Sequence, residues 1–91
     1  MANFPKTSTF YTYVIYSEFF DRFYIGQTKD ITNRIDSHNS GKVRSTKAYA
    51  PWKIVGFIKK ETRTEAIILE RKLKNFNRKD LNRFIKKYFS N

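Results

Sequence analysis

The sequence predicts a small α/β domain of the α+β kind, with the element order β-β-α-β-α-α. Three observations carry this. FYTYVIYS (10–17) and FYIGQT (23–28) are dense in aromatic and β-branched residues and stand five residues apart, which reads as a hairpin. TRTEAIILERKLKNF (62–76) opens with Thr62 and Glu65 at the spacing of a capping box, which reads as a helix start. Apolar residues make up 40% of the 91 residues and aromatics 18%, enough for one core and one domain.

Each element has its own signal. Residues 1–9, with Pro5 and the hydroxyls of Thr7, Ser8 and Thr9, read as a flexible arm ahead of a single domain over 10–91 that ends in a basic helix. EFFDR (18–22) interrupts the two strands as a loop, and a symmetric loop pairs Tyr13 with Tyr24. Asp30 is an N-cap for a helix running to about Asn39, and Gly41 is its stop. SGKVRSTKAYAP (40–51) is a basic, hydroxyl-rich loop, and WKIVGFIKKE (52–61) is a third strand. Asn77 caps a last helix, in which Leu81, Phe84, Ile85 and Tyr88 follow the i, i+3, i+4, i+7 pattern of a core-facing stripe.

Composition removes several chemistries. With no cysteine there is no disulfide, thiolate zinc site or cysteine nucleophile. A single histidine rules out a multi-histidine metal site, so any metal rests on carboxylates, which favours a hard ion such as Mg²⁺ or Mn²⁺. The charge of +11, from 19 Lys+Arg against 8 Asp+Glu, points to a polyanionic partner, nucleic acid ahead of an anionic membrane. A merely soluble basic protein is the plainer reading of the same charge. No stretch approaches the ~18 apolar residues of a membrane helix. MANFPKTSTF lacks a secretory h-region, so a cytoplasmic protein is expected.

Periodicity singles out a few polar residues. At about 100° per residue, Arg34 and His38 share one stripe with Ile31 and Ile35, so they point inward with the isoleucines. Glu70 lies within or at the edge of the stripe formed by Ala66, Leu69 and Leu73, where an unpaired carboxylate is costly to desolvate. Two readings suit it: a salt bridge to an arginine at the core edge, or a metal ligand. Glu65 is accounted for by the capping box. A helix-edge arginine usually pairs with an acid, a lone histidine near a core is usually structural, and strand tyrosines such as Tyr11, Tyr13, Tyr16 and Tyr24 usually pack.

The ordered set resembles a known pattern. Tyr24-Ile25-Gly26 spells YIG. Tyr13 stands eleven residues earlier, Arg34 ten residues after Tyr24, His38 four residues further, and Glu70 lies in EAIILERKLK. The chain resembles the GIY-YIG nuclease superfamily, most closely its small standalone members, over about residues 11–75. The "GIY" half here reads YTY, with Tyr11 in place of glycine. Some members carry an asparagine after the glutamate; Asn75, Asn77 and Asn82 are the candidates for it here, none of them at a matching spacing.

The resemblance implies a three-stranded antiparallel sheet flanked by helices. It also implies a metal-dependent endonuclease that hydrolyses DNA phosphodiester bonds, with DNA repair or processing as the setting. RNA stays open as a substrate, and a monomer or weak dimer is expected. Glu70 would hold one divalent ion, Mg²⁺ or Mn²⁺. Arg34 would donate to the phosphate, to which its planar fork is matched. Tyr13 would act as general base or water-positioning group, with Tyr24 and His38 beside it. A base role asks for a Tyr13 pKa below the usual value of about 10. Gly26 would be structural, leaving room for backbone or substrate. Lys29, Lys42, Arg44, Ser45, Thr46 and Lys47 are the expected phosphate contacts. The alternative is a non-catalytic nucleic-acid-binding module on the same fold, although pure binding needs no carboxylate facing a phosphate.

Overall fold

A computed structural model describes residues 9–89; the expected arm lies, apart from Thr9, outside the described residues. β1 (Phe10–Ser17) is the centre of a three-stranded antiparallel sheet, with β2 (Arg22–Thr28) and β3 (Lys53–Lys60) on its two sides. The helices are α1 (Ile31–Asn39), α2 (Arg63–Lys74) and α3 (Arg78–Phe89), and a short 3₁₀ turn spans Lys47–Tyr49. The expected order and the antiparallel sheet are both present. No helix among the described residues is long and apolar enough to cross a membrane.

Local chemistry sets the helix ends. The Asp30 carboxylate accepts the Asn33 N–H at 3.1 Å, the Thr62 hydroxyl accepts the Glu65 N–H at 3.1 Å, and the Asn77 side chain accepts the Asp80 N–H at 2.8 Å. Each satisfies a donor that the first helical turn leaves unpaired. α1 closes at Gly41, whose φ of 79° is the left-handed conformation. There the Lys42 N–H reaches the Ser37 carbonyl at 3.0 Å and the Gly41 N–H reaches that of His38 at 3.4 Å, the paired bonds of a Schellman cap.

The hairpin register differs from the expected one. Tyr13 is opposite Gly26, and Tyr24 is opposite Ile15. Pairing runs on to Ser17–Arg22 and leaves a four-residue turn. In that turn Asp21 holds a positive φ of 53°, and its carboxylate accepts from Tyr16 at 2.7 Å and Arg78 at 2.8 Å. The offset is two residues, so every side chain keeps its face: only an odd slip exchanges faces. Tyr13 and Tyr24 are therefore diagonal neighbours on the same face.

Two clusters cover the two faces of the sheet. On one, Val14 and Ile25 pack with Leu73 of α2 and Leu81 of α3. On the other, Tyr13 and Ile15 pack with Trp52, flanked by Tyr24 and by Ile31 and Ile35 of α1. α3 turns slightly away from its expected stripe. Tyr88 is 55% exposed, and Phe89 is the half-buried residue, its ring lying where a side chain at Gly56 would stand. Leu81, Phe84 and Ile85 pack on the core as expected, and Phe89 takes the place expected of Tyr88, because Gly56 of β3 leaves a gap that an aromatic ring fills.

Candidate active site

The site grows from the face that carries Tyr13. A Cβ built on Gly26 would lie 2.5 Å from the Tyr13 phenolic oxygen and 2.7 Å from Cζ. What a side chain at Gly26 obstructs is thus the Tyr13 ring itself, which rests on the neighbouring strand. Tyr13 and His38 are both wholly buried, and the Tyr13 hydroxyl is 2.8 Å from His38 Nε2. Arg34, one turn earlier on α1, donates from Nε to the same hydroxyl at 3.4 Å. The Tyr24 ring stands 5.0 Å from the His38 ring and 6.4 Å from that of Tyr13. Four of the residues singled out in the sequence therefore meet around one phenol.

Glu70 approaches from the other layer. α2 packs on the opposite face, where the Thr12 hydroxyl donates to the Ala66 carbonyl at 2.8 Å. β2 is an edge strand, so a side chain can reach round it. Lys74 does so: its Nζ is 2.8 Å from Glu70 Oε2 and 5.7 Å from the Tyr24 ring centroid. The pairing partner of Glu70 is this lysine at i+4, rather than an arginine. Glu70 is 19% exposed, and its charge acts on the Tyr13 phenol.

Electrostatics follow from burial. The Tyr13 phenol is raised above the usual value of 10.0, first because burial disfavours the phenolate; the Arg34 hydrogen bond opposes this and loses. The lowering asked for in a general base is not present in this arrangement. His38 is pushed down to about 4, by burial first and then by the Arg34 charge, so it is neutral at pH 7. The Arg34 guanidinium is raised further by its bond to Tyr13.

The basic loop divides. Lys42, Arg44, Ser45 and Lys47 are exposed, whereas Thr46 is 1% exposed. The Thr46 Oγ1 lies 2.7 Å from His38 Nδ1, and its carbonyl accepts the Trp52 indole N–H at 3.0 Å. Thr46 is thus removed from the expected set of phosphate contacts, because its hydroxyl is spent inside. Lys29 is exposed and, with Gln27, Asp30, Arg34 and Arg63, lines a shallow depression beside the phenol. Arg63 was not signalled in the sequence, where it reads as an ordinary helix-start residue. Of the three asparagines, Asn75 ends α2, Asn77 caps α3 and Asn82 is exposed.

The arrangement is thus a buried phenol–imidazole pair under an arginine, with Lys74 reaching round the edge strand and holding a carboxylate. The family model for the GIY-YIG catalytic domain matches residues 9–89, and the chain belongs to this family of nucleases. A UPF0213 protein of Listeria welshimeri is 38% identical over 64 residues, covering 69% of this chain and 71% of its own. A UPF0213 protein of Listeria monocytogenes is 36% identical over 64 residues, with 69% and 71% covered. The solution NMR structure of a UPF0213 protein from Bacillus halodurans has the same fold, with a TM-score of 0.61 at 24% identity over 90% of this chain and 87% of that one.

Proposed function

We propose that this protein is a metal-dependent endonuclease that hydrolyses phosphodiester bonds of DNA, working in repair or processing in the cytoplasm as a monomer or weak dimer. The observation that carries the reading is the convergence of Arg34 and His38 on the Tyr13 hydroxyl, with Glu70 held nearby through Lys74.

The donor set suits a hard divalent ion in one way only. Among the described residues no three of His, Asp and Glu gather, so an all-protein cage does not fit. A single partly exposed carboxylate does fit Mg²⁺ or Mn²⁺, ions that keep several waters and share substrate phosphates. Glu70 would hold the ion, and Lys74 would yield its place on the carboxylate. A bound ion there supplies charge neutralisation at the phosphate and the leaving oxygen.

The remaining chemistry belongs to the chain. The Arg34 guanidinium transfers from the Tyr13 hydroxyl to a non-bridging phosphate oxygen, which also opens the buried phenol to water. The attacking water then bonds to phosphorus as the P–O bond to the leaving group breaks. Its proton passes to the Tyr13 oxygen while the phenolic proton passes to His38 Nε2. The leaving oxygen takes a proton from solvent, and His38 later returns its own. The negative charge gathering on the phosphate offsets the burial and the Arg34 charge that hold His38 neutral in the free protein. Lys29, Arg63 and the loop residues Lys42, Arg44, Ser45 and Lys47 hold the backbone without reading bases.

A non-catalytic nucleic-acid-binding module is the second reading, and the complete burial of Tyr13 favours it. A panel of duplex, flap, branched and single-stranded DNA, with a matching RNA set, separates the two. Cleavage with Mg²⁺ or Mn²⁺ that stops on chelation supports the enzyme; binding without cleavage on every substrate supports the module.

A further inference from the structure

The hydroxyl of Thr46 is buried against the chain's only histidine. Hydrogen bonds tie its surroundings together. The Trp52 indole holds the Thr46 carbonyl at 3.0 Å. Trp52 is itself tied to the end of α1, its N–H donating to the Asn39 side chain at 2.6 Å and its carbonyl accepting from that side chain at 2.9 Å.

Proton counting gives the line of bonds a direction. Arg34 Nε can only donate, so the Tyr13 oxygen accepts from it. The phenolic proton then needs an acceptor, and His38 Nε2, 2.8 Å away, is the acceptor among its described partners. A buried O–H left without one gives up its bond to water and gains nothing in exchange. Nε2 is therefore the bare nitrogen, and in a neutral imidazole the proton sits on Nδ1. Nδ1–H donates to Thr46 Oγ1 at 2.7 Å, and the Thr46 proton turns to the Val43 carbonyl at 3.3 Å, which also accepts the Thr46 and Lys47 amides. The reverse order would point two donors at the Tyr13 oxygen and strand its proton.

We propose that Thr46 is a positioning residue that fixes His38 as the Nδ1–H tautomer, so that Nε2 faces the Tyr13 hydroxyl as a proton acceptor. The tautomer stands on the hydrogen-bond geometry alone, and its consequence for cleavage rests on the endonuclease reading. An Nε2–H imidazole cannot take the phenolic proton, so loss of the Thr46 acceptor disables the relay without touching the phosphate-binding surface.

One histidine makes the test direct. Uniform ¹⁵N labelling and long-range ¹H–¹⁵N correlation NMR of the imidazole report which nitrogen carries the proton. At pH 7 the wild type is expected in the Nδ1–H form. Thr46→Val keeps the shape, removes the acceptor and leaves a buried Nδ1–H unpaired, so it is expected to raise the Nε2–H population against the pull of Tyr13 and Arg34, while Thr46→Ser restores Nδ1–H. The backbone amide spectrum checks that each variant is folded. In single-turnover cleavage, Thr46→Val should lose about 10²-fold or more in rate, with DNA affinity within about twofold, and Thr46→Ser should recover it. An Nε2–H wild type overturns the proposal, and so does a folded Thr46→Val protein that stays Nδ1–H. A changed tautomer with wild-type cleavage overturns the positioning role. A wild type that shows the expected tautomers but cleaves nothing overturns the endonuclease reading and leaves the tautomer assignment standing.

Discussion

The Tyr13 ring occupies the space that a side chain on Gly26 would need: a Cβ at residue 26 would stand 2.5 Å from the phenolic oxygen. The two residues are register partners on adjacent strands. Gly26→Ala must push the phenol off His38, or spread the strands. Overpacking of this kind costs about 1–3 kcal/mol, readable as a lower urea midpoint at unchanged slope. Cleavage should fall with it, even where the variant remains folded. A Gly26→Ala protein of wild-type stability would show that the ring has room to move.

Tyr13→Phe removes one hydroxyl, and Arg34→Ala removes the donor that covers it. Each should slow single-turnover cleavage by about 10²–10⁴-fold, the usual loss for a general base or charge-stabilising group. Unchanged rates in folded Tyr13→Phe protein would reduce this tyrosine to a packing role.

Glu70→Gln keeps the shape of the proposed metal ligand and removes its charge. Its i,i+4 ion pair with Lys74 is partly open to water on the lysine side and contributes about 0.5 kcal/mol, so the fold should survive. Metal-stimulated cleavage should vanish while most DNA binding remains. Thr62→Ala is the contrast: it removes the α2 cap, costs about 0.5–2 kcal/mol, and leaves the metal response alone. Metal-dependent cleavage by folded Glu70→Gln would move the ion elsewhere.

His38 supplies a pH signature. Its pKa is about 4 in the folded protein against 6.5 for the free side chain. Between those values the unfolded chain binds the proton and the folded one does not, so stability rises with pH across this window. The contribution is complete above about pH 6.5 and is lost as pH falls toward 4, amounting to roughly 3 kcal/mol at about 1.4 kcal/mol per unit. Urea titrations from pH 4 to 7 on wild type and His38→Gln should differ in this slope, with the variant flatter. Parallel curves would place the imidazole in contact with water.

Lys42, Arg44 and Lys47 are exposed on the loop that follows α1. Each phosphate they neutralise adds a slope of about −0.9 to log K against log salt on duplex DNA. Replacing all three with glutamine should flatten that slope by up to about 3 units and leave metal dependence intact. An unchanged slope would shift the binding surface to Lys29 and Arg63, or to the C-terminal helices.

Much of this protein was legible in the sequence because its signals are local. Asp30, Thr62 and Asn77 cap helices by reaching amides three residues on, and Gly41 stops α1 with a conformation that glycine adopts readily. The 3.6-residue period alone turned Arg34 and His38 inward, and the ordered spacing of Tyr13, Tyr24, Arg34, His38 and Glu70 pointed to the family.

Only the tertiary structure decided the rest, where partners lie far apart in the chain. The register depends on a turn whose Asp21 is held by Arg78, 57 residues away. Lys74 meets Tyr24 because α2 crosses beside an edge strand. Thr46 reads as one more hydroxyl in a basic loop, yet Trp52 and His38 draw it inside. A loop residue has no period to say which way its side chain points. Its direction is set by the elements packed around it, which bring together hydrogen-bonding groups that the sequence keeps apart.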